Sequence, residues 1–218
     1  MAGDAADYGP LVDFQTVVNR RRMVRNYDAD RPIPDDVVDR LLGNALHAPS
    51  AGFSQGWGFL VLSDGADRDT YWAVTTGADD ASANEPDNWL IGLQRAPLII
   101  VCFSHKDAYL DRYAEPDKGV ADRDDSWWTA PYWDIDTGMA ALLILLTAVD
   151  AELGACFFGV PIGAVDAVRA AFGVPAGYHP IGTITLGYPA PDRRSPSLRR
   201  GRRGADQVVH KGHWGASA

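Results

Sequence analysis

Residues 35–62 read DDVVDRLLGNALHAPSAGFSQGWGFLVL, and inside this stretch a helical period gives way to an extended one across a short turn. Val37, Val38, Leu41, Leu42, Ala45 and Leu46 share one face at helical spacing, which predicts an amphipathic helix over 35–48. Pro32 and Pro34 precede it, and Asp35 and Asp36 put carboxylates at the positive helix end. Pro49 disfavours helical backbone at Ala48 and so ends the helix. Trp57 to Leu62 then reads as a strand.

Outward from this unit, helices and strands alternate. Phe14 to Arg22 predicts a first helix, and Pro97 to Phe103 (PLIIVCF) a fully buried strand. Helical pieces are expected around Tyr71-Trp72 and Trp89-Leu90. Lys106 to Tyr132 is polar, charged and aromatic, as in an elaborated loop or lid. Asp136 to Leu153 is the most hydrophobic helix, and Gly154 to Gly159 reads as a loop after it. Pro161 to Phe172 has Pro at its start and Gly173 past its end, the signs of a short helix. Tyr178 to Gly187 is a strand, and the chain beyond it is an arm with too few apolar residues for a core of its own. One domain over 1–218 is expected, with a lid or insert at about 64–130. No strand leads into a GxGxxG turn and no GxxxxGK[ST] occurs, so a dinucleotide-binding domain of the Rossmann type and a P-loop are disfavoured.

The 218 residues are 46% hydrophobic and 22% charged, ordinary for a globular chain with a real core. Cys102 and Cys156 lie in apolar runs and read as buried thiols; no CxxC occurs. His47, His105, His179, His210 and His213 show no metal-ligand spacing. The acidic start MAGDAADYGP does not resemble a signal peptide, and Met139 to Val149 is too short an apolar run to span a bilayer. A cytoplasmic protein without membrane contact is therefore expected. A net charge of −9 argues against a nucleic-acid partner. Yet arginines cluster at 20–22 and 25, and again at 193–194, 199–200 and 202–203. Such knots either hold a small anion or are solvated surface groups.

Two segments matter together: Arg21-Arg22-Met23-Val24-Arg25-Asn26-Tyr27, and Ala48-Pro49-Ser50-Ala51-Gly52-Phe53-Ser54-Gln55-Gly56-Trp57. Their order resembles the flavin-dependent nitroreductase family, with its RRSxRxF, helix, APSxxNxQPW and strand. The later half is similar too: an apolar helix, ELGACFFG, a short helix, a strand ending in Gly187-Tyr188-Pro189, then basic residues. The APSxGxSQ form is closest to the subset holding the flavin-consuming benzimidazole synthases and the iodotyrosine deiodinases. The resemblance implies an α+β fold, a mostly antiparallel sheet flanked by helices, in a homodimer that exchanges its C-terminal arms.

It also implies FMN as cofactor and NAD(P)H as electron donor. Arg21, Arg22, Met23 and Arg25 would lie at the phosphate, ribityl chain and N1/O2 edge, and guanidinium suits a phosphate dianion. Pro49, Ser50 and Ala51 would reach the flavin of the other subunit. Cys156, Phe157, Phe158 and Gly159 would line the ring with backbone groups. Arg200 and Arg202 would close over the phosphate, Arg202 being the first choice of register. No residue is expected to act as a dedicated general acid. Three positions depart from the family pattern: Met23 for Ser, Phe53 for Asn and Gly56 for Pro. Tyr109, Arg112, Tyr113 and Trp128 in the lid are candidates for contact with a flat or zwitterionic substrate, the alternative being that the aromatics pack the lid on the body. The expected activity is ping-pong reduction of an electron-poor aromatic or conjugated molecule. Oxygen-dependent flavin consumption, reductive dehalogenation and non-catalytic flavin binding are the alternatives.

Overall fold

The computed structural model describes residues 13–76, 88–118, 123–126, 128–192 and 195–215. Its centre is a four-stranded, wholly antiparallel sheet: β1 (Trp57–Leu62), β2 (Leu98–His105), β3 (Gly154–Phe158) and β4 (Tyr178–Gly187), in the order β1-β2-β4-β3. β2 explains why a continuous apolar run can be a central strand. Leu98, Ile100 and Cys102 enter one core while Ile99, Val101 and Phe103 enter the other, so both faces are covered.

On the first face lie α2 (Asp35–Ala45) and the long α6 (Tyr132–Asp150), which carries Ala140, Ala141, Ile144, Leu145 and Ala148 inward. Arg40 pairs with Asp150 at 3.0 Å and Asn44 donates to Thr147 Oγ1 at 2.8 Å, which fixes the two helices to each other. α1 (Phe14–Arg20) packs beside α6, with the Asp13 carboxylate capping it through the Thr16 amide. The second face is covered by α3 (Gly65–Thr76), α4 (Asn88–Gln94) and α7 (Val165–Phe172), which ends at Gly173 in the left-handed region. There β4 turns Thr183 and Thr185 inward, and their hydroxyls meet Tyr71 Oη at 2.7 Å and Tyr27 Oη at 2.9 Å. These four buried hydroxyls are thus paired, and burial pushes the Tyr71 phenol up to about 12.

The α+β class and antiparallel sheet agree with the sequence, and β1 and β4 have the bounds read from it. Two readings change. Residues 154–158 form strand β3 rather than a loop. Lys106–Tyr113 is a helix, α5, so the supposed lid is helical where it leaves the sheet. The buried strand expected at 97–103 is β2, in the middle of the sheet. The C-terminal arm carries a 3-10 turn (Pro196–Arg200) and α8 (Ala205–Val208), exposed nearly throughout. α6 is long and apolar enough to cross a membrane, yet half of it is buried against α2 and the sheet.

Candidate functional site

β3 is an edge strand, and the segment after α1 runs along its free side. Met23 bridges Ala155, and the Val24 amide donates to Ala155 O at 2.9 Å. Gly154 permits this approach: a Cβ there would come within 2.7 Å of the Val24 side chain. Further on, Tyr27 Oη donates to Val24 O at 2.7 Å, Asp28 N to Tyr188 O at 2.9 Å, and Asn26 Nδ2 to Pro191 O at 2.9 Å. Residues 23–28 are therefore sewn between β3 and the chain leaving β4. α4 closes the other side, so tightly that a Cβ on Gly92 would sit 2.0 Å from Arg25 O.

The next outward amide of β3, Phe157 N–H, has the Met23 thioether sulfur as partner at 3.4 Å. Sulfur is a weak acceptor, so this donor is under-satisfied. Beyond it, a Cβ on Gly159 would meet nothing within 4 Å, so the strand edge opens into free space. Phe158 stacks on Trp72 (6.1 Å, 12°) and meets Trp89 edge-on at 5.6 Å.

Asp192, with its side chain 7% exposed, organises the cationic knot: it accepts from the Arg25 amide at 3.1 Å and from Arg22 Nη1 at 3.2 Å. Among the described residues neither the Arg21 nor the Arg25 guanidinium has a carboxylate partner; Arg25 Nη1 reaches Met23 O at 3.4 Å. A cleft of about 570 Å³ opens here, lined by Arg25, Asn26, Trp89, Arg95 and Asp192 among others, and roofed by Ser195 and Pro196. Its volume is in the ordinary range for a small-molecule site. Burial pushes the Cys156 thiol up to about 11, with Arg25 opposing the shift, so it is a poor nucleophile.

The second motif, residues 48–57, lies elsewhere. Its turn over 50–56 enters β1, at the other edge of the sheet from β3. Asp136 of α6, buried, accepts from the Ala51 amide at 2.7 Å and from Tyr109 Oη at 2.8 Å. Ser50 Oγ accepts from the Gln55 amide at 2.8 Å. Arg112 Nε donates to Gly52 O at 3.0 Å, while its other nitrogens hold Asp117 at 2.7 and 2.8 Å. Tyr113 lies against Gly52, whose φ of +61° suits glycine. Phe53 and Gln55 also have positive φ, and Phe53 is exposed.

Thus Arg22, Met23, Arg25, Cys156 and Phe157 come together around β3, with Arg21 just before them and Phe158 and Gly159 just after. Pro49, Ser50 and Ala51 do not join them within one chain. Three strand spacings of about 4.8 Å separate the two sheet edges, roughly 14 Å across, and the turn also lies at the opposite strand ends. Arg200 and Arg202 stand exposed on the arm, with no hydrogen bond or ion pair among the described residues; Arg193, Arg194 and Trp127 fall outside those residues. Tyr109 is fully buried, and Tyr113 and Trp128 pack on one another at 4.7 Å, so here the lid aromatics support the 50–56 turn. Asp192, Asp136, Trp89 and Arg95 are not singled out by the sequence. A lone acid beside a basic run, and another inside an apolar helix, are the available signals for the two aspartates.

The Nitroreductase family profile matches residues 18–188. Of curated proteins, one from Methanothermobacter thermautotrophicus, provisionally named NADH dehydrogenase/NAD(P)H nitroreductase, is 29% identical over 182 residues, 82% of this chain and 78% of its own. The 5,6-dimethylbenzimidazole synthase of Rhodospirillum rubrum is 29% identical over 88% of this chain and 92% of its own, in keeping with the APSxGxSQ form. Among solved structures, an FMN-dependent nitroreductase from Clostridium difficile R20291 superposes with a TM-score of 0.63 at 22% identity, covering 91% of this chain and 98% of that one, a likeness of fold. The chain belongs to the nitroreductase family, and membership makes it an oxidoreductase by class.

Proposed function

We propose that the protein is an FMN-dependent oxidoreductase that uses NAD(P)H to reduce an electron-poor aromatic or conjugated small molecule, with donor and acceptor visiting one cleft in turn. The observation that carries this is the meeting, at one strand edge, of two guanidiniums without carboxylate partners and an under-satisfied backbone amide. The residues fit FMN: cations for a phosphate, an open strand edge for a polar ring edge, and an aromatic side chain, Phe158, held on Trp72 beside that edge. FMN, when bound, supplies the hydride chemistry. Arg21 would hold its phosphate. Arg25, fixed through its amide by Asp192, would keep positive charge near the ring as electrons arrive, and the amides of 157–159 would orient it.

In this reading the enzyme works as a homodimer, since the 49–51 turn sits on the far edge of the sheet and can complete only a partner's site. Exposed Tyr132, Ile135, Met139 and Leu142, at spacings of three and four on α6, give a second copy an apolar stripe to cover. The likeness to dimethylbenzimidazole synthase favours one other reading, in which reduced flavin itself is consumed by oxygen. Turnover with NADPH in air, followed by the flavin absorbance, separates the two: the flavin spectrum returns after each cycle in the first and is lost in the second.

The decisive experiment is to purify the protein, record its visible spectrum, release the cofactor and identify it. Arg21→Ala should weaken FMN binding about tenfold or more, since a hydrogen bond to a charged group contributes about 1.5–3 kcal/mol. A colourless protein that takes up no added FMN, or an Arg21→Ala variant with unchanged affinity, would sink the assignment.

A further inference from the structure

The arginines of this acidic chain divide into two groups. Arg22, Arg40, Arg112, Arg123 and Arg169 are ion-paired, Arg68 donates to Pro97 O at 2.9 Å, and Arg31 lies over the Tyr188 ring. Arg95 belongs with Arg21, Arg200 and Arg202, whose guanidiniums have no carboxylate partner among the described residues. It follows α4, lines the cleft, and makes no hydrogen bond or ion pair among the described residues. The carboxylate it shares the cleft with, Asp192, is already engaged by Arg22 and the Arg25 amide. Among its described residues the lining therefore carries two guanidiniums against one committed carboxylate, and the electrostatic complement of these groups is an anion. Trp89 lines the same cleft, with 41% of its surface exposed and its ring edge-on to Phe158. The lining thus offers both an apolar ring and an unmatched fork of donors.

We propose that Arg95 and Trp89 form a specificity subsite, separate from the flavin anchor, that selects ligands joining an aromatic ring to an anionic group. This rests on reading the cleft as the flavin site. The anion has two chemical sources, a carboxylate on the electron acceptor or the extra phosphate of NADPH, and both would meet the same guanidinium. Arg95 stabilises the anion, Trp89 gives the ring its contact surface, and neither takes part in the transfer of electrons.

The test uses the full chain with FMN added, its flavin content read from the visible spectrum before any ligand is introduced. Calorimetric titrations then compare 4-nitrobenzoate with the neutral 4-nitrobenzamide, and NADPH with NADH. Arg95→Ala should weaken one anionic member, 4-nitrobenzoate or NADPH, about tenfold or more, with the neutral partner and the FMN content unchanged. Which pair responds identifies the source of the anion. Arg95→Lys should recover part of the loss, and Trp89→Ala should weaken charged and neutral ring ligands alike. Equal effects of Arg95→Ala on charged and neutral ligands, no effect on either pair, or loss of FMN in step with ligand would overturn the proposal. If the wild type takes up no FMN, the flavin reading fails by itself. The same titrations on the apoprotein still decide the subsite, through the presence or absence of an Arg95-dependent preference for 4-nitrobenzoate or NADPH.

Discussion

Replacing Asp136 by alanine would leave two donors without their acceptor, the Ala51 amide and the Tyr109 hydroxyl, in a part of the molecule largely closed to water. Each orphaned donor costs about 1–3 kcal/mol, so urea denaturation should show a loss of roughly 2–6 kcal/mol for Asp136→Ala and clearly less for Asp136→Asn, which keeps one acceptor oxygen. Equal stability of the two variants would mean that the carboxylate does not hold the turn. Cys156 gives the opposite kind of prediction, inertness. With its pKa raised to about 11 by burial, and Cys102 to about 12, only about one Cys156 thiol in a thousand is ionised at pH 8. A thiol reagent at pH 8 should label neither cysteine in the native protein and both after denaturation. At this scale the sequence is informative where residue type and its apolar neighbours fix the outcome, as for the buried thiols. It is silent on Asp192 and Asp136, because a carboxylate's role here depends on which distant amide it meets, 167 residues away in one case.

At the scale of elements, periodicity locates β1, β4, α2 and α6, whose apolar positions repeat cleanly. It misses β3 because GACFFG is short, begins and ends with glycine, and buries both faces only partly. The glycine at 154 that makes the stretch look like a turn is the one that lets Val24 lie against the strand. α5 is missed for a related reason: its polar and charged residues serve a helix with one narrow buried face, Tyr109 and Leu110. Gly92 is the strictest of these close approaches. A methyl group 2.0 Å from Arg25 O cannot be accommodated without moving α4 away from the 23–28 segment. Gly92→Ala should cost about 1–3 kcal/mol, the usual penalty of overpacking, and lower the melting temperature by several degrees. It should also weaken FMN binding, because Arg25 lies on the segment being pushed away from α4. An unchanged melting temperature would show that this contact is looser than the structure has it. Acid should leave the clamp on the 50–56 turn in place for longer than a free carboxylate would. Arg112 holds the Asp117 carboxyl below its ordinary range, so this contribution is complete above that range and lost only as pH falls through the lowered value. Because the pair is exposed, the effect is small.

For the whole molecule, the question is what covers the outer side of α6. Sequence alone shows a helix that is apolar nearly all round, which fits either a core helix or an interface helix. The structure buries Ala140, Ala141, Ile144, Leu145 and Ala148 against the sheet and leaves Tyr132, Ile135, Met139 and Leu142 outside, beside the exposed Phe14 and Val18 of α1. The arm adds Leu198, Val208, Val209 and Trp214, all exposed, on a segment with no core to join within its own chain. In the dimer proposed above, a second copy covers this surface and supplies its 49–51 turn to the β3 edge. Light scattering should therefore give twice the 23.6 kDa of one chain. Changing both Met139 and Leu142 to arginine places charge in the stripe and touches no inward-facing residue. It should yield a monomer with an unaltered circular-dichroism spectrum but at least tenfold weaker FMN binding, since half of each proposed site would be missing. A wild-type monomer, or a monomeric double variant that holds FMN as tightly as the parent, would rule out a site shared between subunits.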